Sequence, residues 1–215
     1  MHADLNSRPI LITAGATRNP IDSMRCITAH ASGQTGVWLA SECHLRQCPV
    51  TLLGSPIALL RLPQNIPSLE FDSTRDLLAK MQNWVLNNPN GIVIHSAAVG
   101  DFEMITHRND KIPSGGNLVL ELQPTPKILD LIKTWSSNIF LVSFKAADPS
   151  TTKEQLIQIA QAQAQRSQSD LVFANILGQI QNDVSLCTTT SHENFANRSQ
   201  ALDQLLHKVL QISQD

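Results

Sequence analysis

A chain of 215 residues, 42% hydrophobic and 16% charged, has ordinary globular composition; it is long enough to bury a core as one large domain and is not a disordered chain. A formal net charge of -2 with no basic stripe gives no electrostatic case for a nucleic acid or an anionic membrane surface as partner. No apolar run approaches the roughly 18 residues of a membrane span, and the four cysteines, Cys26, Cys43, Cys48 and Cys187, lack CxxC spacing, so reduced thiols, no metal site and a cytoplasmic location are expected.

Residues 1–8 carry no apolar core and read as an N-terminal tail, with one domain over 9–215. Ile10, Leu11 and Ile12 form the short run of a strand covered on both faces. Thr13, Ala14, Gly15, Ala16 and Thr17 close it with residues small enough for backbone N–H groups to approach an anion. Ser32-Gly33 opens a helix over 34–47, with Val37, Ala40 and Cys43 at helical spacing, whose N-terminus points back at that turn. Strands are expected over 50–53 and 69–71, separated by a proline-punctuated connection. Ser73 and Asp76 form a capping-box start for an amphipathic helix carrying Leu77, Leu78, Met81, Trp84 and Val85, stopped by Asn88-Pro89-Asn90-Gly91.

A further strand over 92–94 runs directly into Ser96, Ala97, Ala98, Val99, Gly100 and Asp101, a second small-residue turn. Residues 103–117 lose hydrophobic periodicity and read as a mobile loop containing Lys111. A strand is expected over 118–122, a helix introduced by Pro126 through Trp135, and a buried strand over 139–144. Residues 152–167 read as a helix with Leu156, Ile159, Ala160 and Ala164 inward and a glutamine-rich solvated face. Strands at 171–174 and 184–187 and a helix over 199–212 complete the chain. Strands alternating with helices imply an α/β domain, a mainly parallel sheet with helices on both faces, whose ligands bind beyond the carboxyl ends of the strands.

The dinucleotide fingerprint GxGxxG and the phosphate loop GxxxxGK[ST] are both absent. The rim instead offers Arg18 and Arg25 in a polar loop, Asp101 just after a strand, and Lys111. These are cations for anions, small turns for close approach, and a carboxylate for a sugar hydroxyl or a metal. Taken singly, Lys111 reads equally as a solvated loop lysine, Asp101 as a helix N-cap and Phe144 as core. His30 and His95, beside the two turns, are explained by local hydrogen bonds as well as by acid–base chemistry.

In order along the chain, ITAGATRNPIDSMRCITAHASGQTG, SAAVGDF, DKI, LQPTPKIL and VSFKA resemble phosphopantothenoylcysteine synthetase (phosphopantothenate cysteine ligase) of coenzyme A biosynthesis, over about residues 9–186. The resemblance implies a Rossmann-like, dimeric ligase. CTP or ATP, with Mg2+, activates the carboxylate of 4'-phosphopantothenate as an acyl nucleotidylate, and the cysteine amine displaces the nucleotide. With only a short tail before residue 9, the expectation is a stand-alone ligase served by a separate phosphopantothenoylcysteine decarboxylase. The matching positions imply nucleotide contacts at Ser96, Ala97 and Asp101, a phosphate contact at Lys111, a nucleotide-contacting helix start at Pro126, Lys127, Ile128 and Leu129, and Phe144 beside the base. Gly15, Ala16 and Thr17 are the expected phosphate-approach turn, and Arg25 handles the phosphopantothenate end. The chain departs from the family at Ala29, where an asparagine is expected for the acyl nucleotidylate, and at Gln163 and Ser167, where lysines are expected.

Overall fold

The fold grows outward from the first apolar run, in which every residue is buried. A computed structural model describes residues 7–179 and 181–214. In chain order, β1 (Ile10–Ala14) is followed by the antiparallel pair β2 (Arg18–Pro20) and β3 (Cys26–Thr28), then α1 (Gln34–Leu45), β4 (Val50–Gly54), the short α2 (Pro56–Leu59) and β5 (Ser68–Glu70). Next come α3 (Thr74–Asn87), β6 (Ile92–His95), β7 (Phe102–Met104), β8 (Leu122–Pro124), α4 (Ile128–Trp135), β9 (Phe140–Ala147) and α5 (Lys153–Ser167). The chain closes with β10 (Leu171–Ile176), β11 (Asn182–Cys187), β12 (His192–Asn197) and α6 (Arg198–Gln214).

The main sheet has eight strands in the order β12-β11-β10-β9-β6-β1-β4-β5. The six from β10 to β5 are parallel, and β11 and β12 are added antiparallel. After β1 the chain winds to β4 and β5 on one side, then crosses to β6 and winds through β9 and β10 on the other. The order therefore reverses between β1 and β6, where two neighbouring crossovers diverge and leave a crevice at the carboxyl ends.

Alternation along the strands divides the core. Ile10, Ile12 and Ile94 face α1 and α6 in one cluster, while Leu11, Val93 and Leu141 face α3 and α4 in another. A third cluster joins α5 to β10. Fully burying each such aliphatic chain contributes about 2 kcal/mol. The first residues of the domain are fixed at the opposite, amino-terminal end of the strands. Arg8 N donates to Ser213 O in α6, and its guanidinium donates to Asn90 O at 2.5 Å and to Asn138 O at 3.0 Å.

The mainly parallel, two-faced sheet matches the sequence reading. Ser73 caps α3 as expected, accepting from Asp76 N at 3.2 Å, and Thr152 with Gln155 forms a full capping box on α5. Other expectations are corrected. Residues 118–121 are not a strand; pairing begins at Leu122, because β8 is held by β7 and not by the main sheet. The expected loop over 103–117 accordingly begins inside β7. Ile159 is turned outward, and α5 buries Gln163 and Ser167 in its place, so the glutamine-rich face is not wholly solvated. The short α2, a single turn after Ser55, and the edge strand β12, which is polar and largely exposed, were not foreseen.

Candidate functional site

Two small-residue turns meet at the switch point and are zipped together by backbone bonds. Ala98 N donates to Gly15 O at 2.8 Å and Thr17 N to Ala98 O at 3.1 Å, closing a parallel bridge between Ala16 and Ala98. Gly15 is required here: its φ is +92°, and a Cβ would lie 1.9 Å from Ser55 Oγ. Gly33, at φ +76°, approaches the same turn so closely that its Cβ would lie 3.0 Å from Gly15 N. Gly33 starts α1 without any side-chain cap, so the N–H groups of that first turn are directed at the crevice.

The crevice is a cleft of about 790 Å³, a size suited to a nucleotide-scale ligand. One wall is the loop from Ala29 to Gly33 with the start of α1, and the other is the start of α4 with Asp101. Lys127 Nζ donates to Asp101 Oδ1 at 2.6 Å, and Arg166 pairs with Asp130 Oδ2, while Asp130 Oδ1 is buried without a hydrogen-bond partner. At the β9 end, Phe144 stacks on Phe173 with ring centres 4.9 Å apart, and the Arg198 guanidinium lies 4.9 Å over Phe173. Arg198 also donates to Asn175 Oδ1 and Thr35 Oγ1, and among the described residues it has no carboxylate partner. Burial holds its pKa below the usual arginine value.

The floor is polar and tightly specified. Thr13, His95 and Ser143 stand side by side on β1, β6 and β9 in register. Thr13 Oγ1 accepts from Ala97 N at 3.1 Å and lies 2.9 Å from His95 Nδ1. Thr13 is fully buried and its O–H has no other acceptor among the described residues, so the hydroxyl gives its proton to Nδ1, which leaves His95 protonated on Nε2. Burial pushes the His95 pKa down to about 4, so the ring is neutral. Gln163 Nε2 donates to Ser143 Oγ at 3.0 Å and to Phe144 O at 3.3 Å, extending the row into α5.

Of the residues singled out from the sequence, Gly15, Ser96, Ala97, Asp101, Pro126, Lys127, Ile128, Leu129 and Phe144 line this cleft. Ala16 and Thr17 do not. Thr17 is fully buried, its Oγ1 accepting from Gly100 N and from Thr74 Oγ1, and it braces the turn from behind. Arg25 and Lys111 lie outside the lining, and Arg25 bonds the neighbour of Lys111 in sequence. Arg25 Nη1 pairs with Asp22 at 2.9 Å and donates to Ile112 O at 3.3 Å, while Ile112 N donates to Asp22 Oδ2 at 3.0 Å. The amides of Ile112, Met24 and Arg25 hold the Asp22 carboxyl below its usual pKa. Asp22 and Arg25 thus grip the residue next to Lys111 by both its N–H and its C=O.

The sequence matches the family described as DNA/pantothenate metabolism flavoprotein C-terminal domain over residues 5–211. The chain belongs to this family. It is a domain of the phosphopantothenoylcysteine synthetase type. It is 38% identical over 190 residues to the coenzyme A biosynthesis bifunctional protein CoaBC of Thermococcus kodakarensis, covering 85% of this chain and 45% of that protein. A crystal structure of the DNA/pantothenate metabolism flavoprotein from Streptococcus pneumoniae superposes with a TM-score of 0.84 at 29% identity, covering 94% of this chain and 98% of that one. A Cab2 mutant in complex with phosphopantothenate-cysteine shares the fold, with a TM-score of 0.76 at 17% identity over 98% of this chain and 90% of that one. The chain spans about half the length of the curated relatives it matches.

Sequence reasoning did not single out Arg198, Asp130 or Gln163 as cleft residues of this flavoprotein C-terminal domain. Gln163 was noted only as a departure from the family, and Arg198 lies beyond the stretch that carries the resemblance. The signal that could have found them is topological: the helices following β8, β9 and β12 start or pass at the same strand ends.

Proposed function

We propose that this chain is a ligase that joins 4'-phosphopantothenate to cysteine, consuming CTP or ATP. The observation that supports it most is the convergence of both small-residue turns, the start of α4 and the end of β9 on one cleft, in a chain of this family. In this reading a phosphopantothenate carboxylate oxygen attacks the nucleotide's α-phosphorus and pyrophosphate leaves. The cysteine amine then attacks the acyl carbon, the nucleoside monophosphate leaves with the carboxylate oxygen, and the ammonium proton passes to solvent. Catalysis is mainly alignment and charge neutralisation.

The N–H groups at the start of α1 and the turn at Gly15 approach phosphate oxygens, and Asp101 accepts from a ribose hydroxyl once Lys127 turns to the phosphates. Phe144 covers one face of the base. Lys111 meets the phosphates from outside the cleft as its segment approaches, with Asp22 and Arg25 fixing the hinge of that approach. Mg2+ would arrive on the nucleotide's own phosphates, since no group of three or more His, Cys, Asp or Glu gathers among the described residues to hold an ion. The exposed apolar chains Phe102, Ile105, Leu118, Val119 and Leu122 favour a homodimer through the β7–β8 region. A flavin-dependent decarboxylase would consume the product. Among the described residues no helix is long and apolar enough to cross a membrane.

Purified protein given 4'-phosphopantothenate, cysteine and either nucleotide releases pyrophosphate; silence with both CTP and ATP overturns the reading. Ala29 favours a second reading, a paralogue that binds nucleotide or protein but ligates poorly, because it presents only a methyl group on the cleft wall. Ala29→Asn separates the two: a large gain in turnover marks an impaired ligase, and an unchanged rate in an already active protein dismisses the impairment.

A further inference from the structure

On the cleft floor, one donor and one acceptor are left over after every local hydrogen bond has been made. His95 is 6% exposed and Gln163 8% exposed, and both line the cleft. The Thr13 hydroxyl occupies His95 Nδ1, so Nε2–H is the free donor; it has no hydrogen-bond partner among the described residues. Gln163 is oriented without ambiguity, because Phe144 O can only accept and so faces Nε2. Its Oε1 is therefore the free acceptor. Neither atom is sealed in protein without a partner, and both side chains belong to residues that line the cleft. His95 on β6 pairs in register with Ser143 on β9, to which the side chain of Gln163 on α5 is bonded, so donor and acceptor belong to adjoining positions of the floor.

We propose that His95 and Gln163 are the residues that select the nucleotide base, reading an edge on which a ring nitrogen accepts from His95 Nε2–H and an exocyclic amino group donates to Gln163 Oε1. The inference rests on the nucleotide reading given above. Cytosine, through N3 and its 4-amino group, and adenine, through N1 and its 6-amino group, present that pattern. Uracil and hypoxanthine present the reverse, an N–H where the acceptor is needed and a carbonyl where the donor is needed. A reversed edge places N–H against N–H and oxygen against oxygen, leaving two desolvated groups unpaired on each side. A lysine at position 163 would be a donor only, so the glutamine changes what this position can recognise.

The test is calorimetric titration of the intact chain, with magnesium, against two pairs differing only at this edge, CTP with UTP and ATP with ITP. The amino member of each pair binds about ten- to hundredfold more tightly, and Gln163→Met narrows both ratios. A purely structural role for Gln163 would weaken all four nucleotides together and leave the ratios unchanged, which overturns its assignment. Equal affinity within each pair for the unaltered protein overturns the whole inference while leaving nucleotide binding intact. If no nucleotide binds, the proposed function falls with it. The unaltered protein decides the matter even where Gln163→Met fails to fold.

Discussion

The cleft floor and the arm formed by β2–β3, β7–β8 and the intervening segment 105–121 are built from different physics. The floor is backbone pinned by packing: buried strands, glycines with no room for a methyl group, and a polar row in which nearly every group is paired by its neighbour. The arm has little apolar packing. Its apolar chains face outward; it is tied to the domain by Asn19, whose Oδ1 accepts from Thr74 N, and by the Arg75–Glu103 pair at 2.5 Å, while the Asp22–Arg25 grip on Ile112 holds its own parts together. In the proposed function, a site that holds a base in fixed register and then brings a cation to moving phosphates uses both kinds of construction.

The largest effect expected is on the floor. Gly15→Ala combines a strained positive φ with a clash against Ser55 and costs about 4 kcal/mol, read as a lowered urea midpoint. Next is the acid response of His95. Its folded pKa of about 4 lies below the ordinary 6.5, so the unfolded chain binds the proton more readily and the stability it contributes is lost as pH falls from 6.5 toward 4. Relative to a His95→Asn variant, the protein loses about 2 kcal/mol between pH 7 and pH 5.

The arm responds in a different window. Asp22 has its carboxyl pKa depressed, so its contribution is present above the ordinary value of 3.8 and is lost only as pH falls below that value. The sealed floor therefore weakens before the exposed arm on acidification, which hydrogen exchange at His95 and at Ile112 would follow separately. Asp22→Asn accelerates protease cleavage within 105–121 and raises the KM for nucleotide, with little change in the thermal midpoint. The smallest stability effect is that of Lys127→Ala, which removes an exposed pair and changes stability by less than about 0.5 kcal/mol while still weakening nucleotide binding.

The same contrast explains what could be read from the chain. Ile10, Val93 and Leu141 announce the central strands because burial on both faces demands unbroken apolar runs, and Ser73 and Thr152 announce helix starts by local chemistry. The arm has no such periodicity: Leu118 and Val119 look like a strand, yet they are exposed, and pairing begins only at Leu122. The turn residues Gly15 and Ser96 were legible as cleft residues because small residues after a buried strand have few other uses. Thr17 was misjudged since a small polar residue can brace a turn as readily as line it. Gln163 and His95 were opaque because their roles depend on which of two polar atoms a neighbour consumes, and that is decided by residues far apart in sequence, 82 positions in the case of Thr13 and His95.

The knot of bonds around Arg8 has a consequence for how this domain is wired into larger chains. Arg8 is bound to Asn90, Asn138 and Ser213, so the chain arrives and leaves at the amino-terminal end of the sheet, with the cleft at the other. Anything joined ahead of Arg8 or after α6 departs from the end away from the cleft, and the same cleft-bearing face can be carried by a free-standing protein or by one half of a fusion without being redesigned.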